Sequence, residues 1–104
     1  MKSTSLLLCA GWFATRMYYV YILQSQKDGG LYIGYTNNLK ERFKEHQNGK
    51  SLATKGRIPL KLIHYQGFVS QNDALATEKY LKTTRGWERI HRMLENTLSA
   101  PKLK

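Results

Sequence analysis

Cysteine is all but missing from this chain: Cys9 stands alone among 104 residues. One thiol forms no intrachain disulfide and no cysteine-rich zinc site, so a reducing cytoplasm is the simplest compartment. Acid is scarce as well. Seven Asp and Glu face seventeen Lys and Arg, a formal net charge of +10. Such an excess suits a polyanionic partner, nucleic acid first and an anionic membrane surface after it. The apolar stretch Leu6 to Ala14 resembles the core of a signal peptide but is far too short to span a bilayer. The three histidines, His46, His64 and His91, lie too far apart for the paired ligands of a zinc-binding helix. With 41% hydrophobic residues the chain can bury the core of one modest domain. That domain is expected over residues 17 to 99, with 1 to 16 as an N-terminal extension and 100 to 104 as a C-terminal tail.

What the chain does have is concentrated in residues 17 to 49, MYYVYILQSQKDGGLYIGYTNNLKERFKEHQNG. YYVYILQS and LYIGY are rich in β-branched and aromatic residues, and KDGG between them supplies turn residues, which reads as a hairpin. Setting Val20 against Ile33 and Ile22 against Leu31 gathers the apolar side chains on one face. That register puts Tyr21 opposite Tyr32 and Tyr19 opposite Gly34, and the glycine leaves room there for another backbone or a ligand. Asn37 or Asn38 caps a helix over about 38 to 48, with Glu41 completing a capping box and Asn48-Gly49 as the stop. Leu39 and Phe43 mark its buried stripe, and Arg42 and His46, four residues apart, share the adjacent edge. Arg42 can equally pair with Glu41 or Glu45 at the surface.

Residues 50 to 59, KSLATKGRIP, form a basic loop in which Lys50, Lys55 and Arg57 can reach phosphates. Pro59 marks the entry to a strand over 60 to 68, alternating Leu60, Leu62 and His64 against Lys61, Ile63 and Tyr65. Ser70 or Asn72 caps the next helix, whose apolar positions include Ala74, Leu75 and Leu81. Glu78 falls beside them, where a carboxylate is costly without a cation or donors to hold it. Lys82, four residues on, can pair with it or meet phosphate instead. A last helix begins near Trp87, with Ile90 or His91, Leu94 and Leu98 along its apolar stripe, and Pro101 ends it by about residue 99. Trp87 reads as a core or capping residue, with stacking on a base as the alternative.

Hydrolysis of a phosphodiester needs a base to activate water, positive charge on the developing phosphorane and something to stabilise the leaving oxygen. Tyrosine, arginine and one metal-bound carboxylate can fill these roles. A phenol, with a pKa of about 10, serves as a base only with help from a neighbouring cation or a metal-ordered water. Arg42 or His46 can supply that help, and acids this few and scattered suit one metal better than two.

These residues resemble the GIY-YIG endonucleases. Val20-Tyr21-Ile22 looks like the first signature, Tyr32-Ile33-Gly34 is the second verbatim, and Asn38-Leu39-Lys40-Glu41-Arg42 with His46 resembles the helix that follows. Glu78 matches the family's metal-binding glutamate, Asn96 is the nearest counterpart of a late asparagine, and Tyr19 stands where the first signature usually has glycine. The resemblance covers about residues 17 to 96. It implies an α+β fold, a central three-stranded antiparallel β-sheet flanked by helices, in agreement with the element order read above. It also implies a DNA endonuclease in which Tyr21 and Tyr32 line the site, one of them acting as or near the general base. On the same likeness Arg42 stabilises transition-state charge, His46 orients or assists the tyrosine, and Glu78 holds a single Mg2+ or Mn2+ ion. The expected partner is DNA, with RNA as an alternative and no membrane, contacted by Lys40, Lys50, Lys55, Arg57, Lys82 and Arg85. A monomer cutting one strand, with specificity borrowed from an accessory protein, is expected to serve repair, recombination or processing. The rival reading is a non-catalytic nucleic-acid-binding protein on the same fold.

Overall fold

YYVYILQS becomes the middle strand of the sheet, and its two faces organise the rest. In the computed structural model, which describes residues 16–99, β1 (Tyr18–Ser25) lies between β2 (Leu31–Thr36) and β3 (Leu60–Phe68), antiparallel to both. Residues 1 to 15 of the extension and the tail read from the sequence lie outside the described residues. A strand covered on both faces needs apolar side chains on both, and Val20, Tyr21, Ile22 and Leu23 are all buried. The weak alternation of this segment has that cause.

On one face Val20, Ile22 and Ile33 pack with Ala74 and Leu81 of α2 (Gln71–Leu81) and Ile90 of α3 (Thr84–Met93). On the other, Tyr21, Leu23 and Leu60 gather Tyr32, Leu62 and Ile58 with Leu39 and Phe43 of α1 (Leu39–Gln47). Each fully buried aliphatic side chain stabilises the fold by about 1.5–3 kcal/mol relative to exposure. The three-stranded antiparallel sheet flanked by helices is as expected, and so is Pro59 at the entry to an edge strand.

The hairpin register is not. Tyr21 faces Gly34, Ile22 faces Ile33 and Val20 faces Tyr35, two residues away from the expected pairing. The turn sets this. Ser25 Oγ accepts from Lys27 N at 3.1 Å and Asp28 N at 3.2 Å, Asp28 Oδ1 accepts from Gly30 N at 2.8 Å, and Gly29 takes a positive φ of 78°. Ser25 Oγ also donates to the Arg57 carbonyl at 2.7 Å, and Gln26 N donates to the Pro59 carbonyl at 2.8 Å, tying the turn to the loop ahead of β3.

β3 also departs from simple alternation. His64 pairs with Ile22, Leu62 with Leu23 and Tyr65 with Tyr21, so Ile63 is an extra residue, a bulge that moves His64 to the first face and brings Tyr65, rather than His64, to the face of Leu60 and Leu62. The last helical segment starts earlier than expected. Thr83 caps α3, its Oγ1 accepting from Gly86 N at 3.1 Å, and α3 stops at Leu94, with a short α4 (Glu95–Ser99) after it. Gly86 is buried where a Cβ would overlap the Tyr80 carbonyl and Leu81 Cα, so α2 and α3 meet at this residue. Trp87 is thereby turned outward, 40% exposed rather than in the core, and Leu75 is exposed too.

Candidate active site

The site is built where β1, β2 and α1 meet on the second face. Tyr21 points to that face and lies across Gly34, where a Cβ would overlap its phenol oxygen and Cζ. Asn38 fixes the start of α1, its Oδ1 accepting from Glu41 N at 3.1 Å. One turn apart on the helix, Arg42 and His46 both reach the phenol. Arg42 Nε donates to the Tyr21 oxygen at 3.4 Å, and His46 Nε2 lies 2.9 Å from it. Arg42 Nη1 also donates to Glu45 Oε1 at 2.7 Å, so the surface pair and the site contact coexist. Tyr32 tilts against both rings, with centroids 6.3 Å from Tyr21 and 5.2 Å from His46.

His46 is 0% exposed, deeper than the Leu39 and Phe43 stripe beside it. Its Nδ1 lies 2.7 Å from Thr54 Oγ1, itself fully buried. Arg42 can only donate, so the phenol oxygen accepts there. When the phenol proton points to Nε2, the imidazole proton sits on Nδ1 and faces Thr54. Nothing in KSLATKGRIP separates this threonine from a solvated one.

Burial pushes the Tyr21 phenol above the ordinary tyrosine range; the Arg42 hydrogen bond and charge oppose this, while Tyr32 and the Glu78 charge add to it. Burial, followed by the Arg42 charge, pushes His46 below the ordinary histidine range, against a smaller pull from Glu45. His64, its Nε2 buried without a partner, is lowered by burial as well. A histidine with a depressed folded pKa takes up its proton more readily when unfolded. Its contribution to stability is complete above the unfolded value of about 6.5 and is lost as pH falls from there toward the folded value. Acidification from neutral pH should therefore lower the urea midpoint, as unfolding free energy is lost by up to about 1.4 kcal/mol per pH unit for each of the two residues. His46→Gln should remove its share of that slope; an unchanged slope would show that the buried imidazole is not held neutral.

Glu78, on α2, has a side chain 21% exposed and receives Lys82 Nζ at 2.9 Å on Oε2. The helical pair seen in the sequence is made; α2 packs on the first face of the sheet, and from there the Glu78 charge is the least of the influences on the Tyr21 phenol. Among the described residues no three His, Cys, Asp or Glu side chains gather around one point. A lone carboxylate does not make a protein cage. It does fit Mg2+ or Mn2+, hard ions that keep several waters and share one or two carboxylates with substrate phosphates. Of the basic residues, Lys40, Lys50, Lys55 and Arg85 are exposed. Arg57 instead lies against Asp28, Nε to Oδ2 at 3.5 Å, and Lys82 is on Glu78.

A buried phenol between a guanidinium and a neutral imidazole, on a strongly basic α+β domain, is equipment suited to nucleases. The model of the GIY-YIG catalytic domain matches residues 17–90, and the chain belongs to that nuclease family. It is 37% identical to a UPF0213 protein of Limosilactobacillus reuteri over 94 residues, covering 88% of this chain and 97% of the relative. It is 46% identical to a UPF0213 protein of Clostridium perfringens over 67 residues, covering 64% and 71%. Among solved structures it matches the UPF0213 protein of Bacillus halodurans, determined by solution NMR, at 36% identity and a TM-score of 0.48 over 74% of this chain and 84% of that one. No helix among the described residues is long and apolar enough to cross a membrane.

Proposed function

We propose that the protein is a metal-dependent endonuclease that hydrolyses DNA phosphodiester bonds at the Tyr21, Arg42 and His46 cluster. The observation that carries this reading is the Tyr21 phenol held between Arg42 Nε and His46 Nε2 at 3.4 and 2.9 Å. Burial keeps the phenol protonated and the imidazole neutral, so a proton sits on the oxygen with an empty acceptor beside it. As water attacks phosphorus, the phenol oxygen takes a proton from the water and passes its own to Nε2. Thr54 receives Nδ1–H and steadies the imidazolium that forms. Arg42 offsets negative charge on the phenol oxygen and the phosphorane. Tyr32, half-buried beside both rings, orients the water or the phosphate.

Glu78 would hold the Mg2+ or Mn2+ ion, which supplies charge neutralisation at the leaving oxygen when bound. Lys40, Lys50, Lys55 and Arg85 contact backbone phosphates, joined by Arg57 and Lys82 once these leave Asp28 and Glu78. One such site cuts one strand, so the protein works as a monomer, with an accessory protein setting the target. Its place is DNA repair, recombination or processing in the cytoplasm.

The test compares wild type with Glu78→Ala on supercoiled, branched and single-stranded DNA, with Mg2+, Mn2+ or a chelator. Wild type should cut only with metal, and Glu78→Ala should lose about 100-fold or more in rate. Binding by the variant should be unchanged or slightly tighter, because a negative charge is gone. A wild type that binds but never cuts would make the protein a binder, and a variant that cuts as well as wild type would remove Glu78 from the mechanism.

A further inference from the structure

A concavity lies on the same face of the sheet as the Tyr21 cluster, toward β3 rather than β2. Tyr21 leans over Gly34 of β2, whereas Tyr19, two residues earlier, leans toward β3, where a Cβ at Gly67 would stand 3.3 Å from its Cε1. Between Tyr19, α1 and β3 opens a cleft of about 690 Å³. Its lining includes Tyr19, Phe43, Leu62 and Tyr65, with Lys40 and Lys44 and the two asparagines that open α1. The Tyr65 ring is 54% exposed and meets Tyr19 edge-on, centroids 6.2 Å apart at 64°. Neither tyrosine belongs to either hydrophobic core, so core packing does not account for two large aromatic rings standing here.

We propose that this cleft takes an unpaired nucleobase, stacked on the Tyr65 ring with Tyr19 against its edge, and the adjoining phosphates on Lys40 and Lys44. As a statement about the substrate this rests on the nuclease reading above. Apolar side chains around an exposed ring suit a base, which has a π-face whatever its sequence. Two ammonium groups in the same lining suit the backbone that carries it and give a neutral apolar ligand no partner. The volume lies within the range of about 300–1,000 Å³ that small-molecule sites occupy, ample for a base and its sugar. A base inside a duplex keeps both faces against its neighbours and cannot enter. The cleft therefore selects nucleic acid with a single-stranded segment, such as a flap, gap or branch, lying across α1 from the reacting phenol.

The experiment measures binding in chelator, with chemistry off, to a short oligothymidylate and to an equally long oligomer of abasic units. The two carry the same phosphates and differ only in bases. Wild type should bind the thymidylate about tenfold more tightly. Tyr65→Ala and Tyr19→Ala should abolish that preference, Tyr65→Phe should keep it, and Lys44→Ala should weaken both oligomers alike and lower the salt slope by about 1. Circular dichroism checks folding; if Tyr65→Ala does not fold, Tyr65→Leu, which keeps apolar bulk without a ring, makes the same comparison. Equal affinity of wild type for both oligomers overturns the proposal, as does a Tyr65→Ala or folded Tyr65→Leu variant that retains the preference. Cutting is scored separately in Mg2+. A protein that prefers bases yet never cuts loses the nuclease reading and keeps the cleft; one that cuts with no preference for bases loses the cleft alone.

Discussion

Gly34→Ala should leave the protein without detectable cutting and less stable by about 1–3 kcal/mol. The methyl group would occupy the space of the Tyr21 phenol oxygen and Cζ. Gly34 is not at a positive φ, so the requirement is room, not backbone freedom. The ring cannot retreat easily, because Arg42 and His46 hold its oxygen and Tyr32 lies against it. Displacing it separates the phenol from its proton acceptor and leaves His46 Nε2 buried without a partner, a desolvation cost of about 1–3 kcal/mol where nothing replaces the bond. Tyr21→Phe is the informative companion. It keeps the ring in place and removes only the hydroxyl, so it should fold with a similar loss of activity and little steric strain. Urea denaturation and plasmid nicking read both quantities; nicking by Gly34→Ala at the wild-type rate would mean that the phenol need not stand where it does.

Arg42→Ala separates activity from stability in the opposite way. Its pair with Glu45 is partly exposed, and such pairs contribute about 0–1 kcal/mol, so the fold should barely notice. Cutting should fall by about 10²–10³-fold, the usual cost of one donor aimed at developing negative charge. Arg42→Lys should not restore it. The guanidinium serves the phenol through Nε and Glu45 through Nη1, and one ammonium group cannot reproduce that fork. A second signature should accompany the loss. Arg42 helps keep His46 neutral, so without it the imidazole protonates at higher pH and the acid limb of the pH–rate profile moves upward. A variant with a reduced rate and an unmoved acid limb would place the guanidinium on the phosphate alone.

Much of this was legible in the sequence because the relevant signals are local. The two signature strands, the Asn38 cap and the spacing of Arg42 and His46 all act within a few residues. Even the misjudged hairpin register did little harm: it slipped by two, and an even slip keeps every side chain on its proper face. What it hid was the pairing of Tyr21 with Gly34, because the register is fixed by hydrogen bonds of Ser25 and Asp28 within the turn. The bulge at Ile63 gives no local signal either, so strict alternation keeps His64 with Leu62 and misses that Tyr65 stands on the face of Tyr21. Apolar spacing does not reveal the Thr83 cap, which starts α3 a turn earlier and leaves Trp87 exposed. Thr54 gave no signal at all. Its contact with His46 exists only after the loop has folded back beneath α1.

On the proposed mechanism, that fold-back decides when the site is complete. The loop bearing Thr54 is anchored at its far end by Ser25 and Gln26, through the carbonyls of Arg57 and Pro59. The imidazole is therefore gripped only when hairpin turn, helix and loop have all arrived. A chain still emerging from the ribosome, or one opened locally at the turn, can carry its phenol and guanidinium yet has no fixed proton acceptor. On the proposed mechanism such a chain is harmless to DNA, so completion of the fold works as a safety catch.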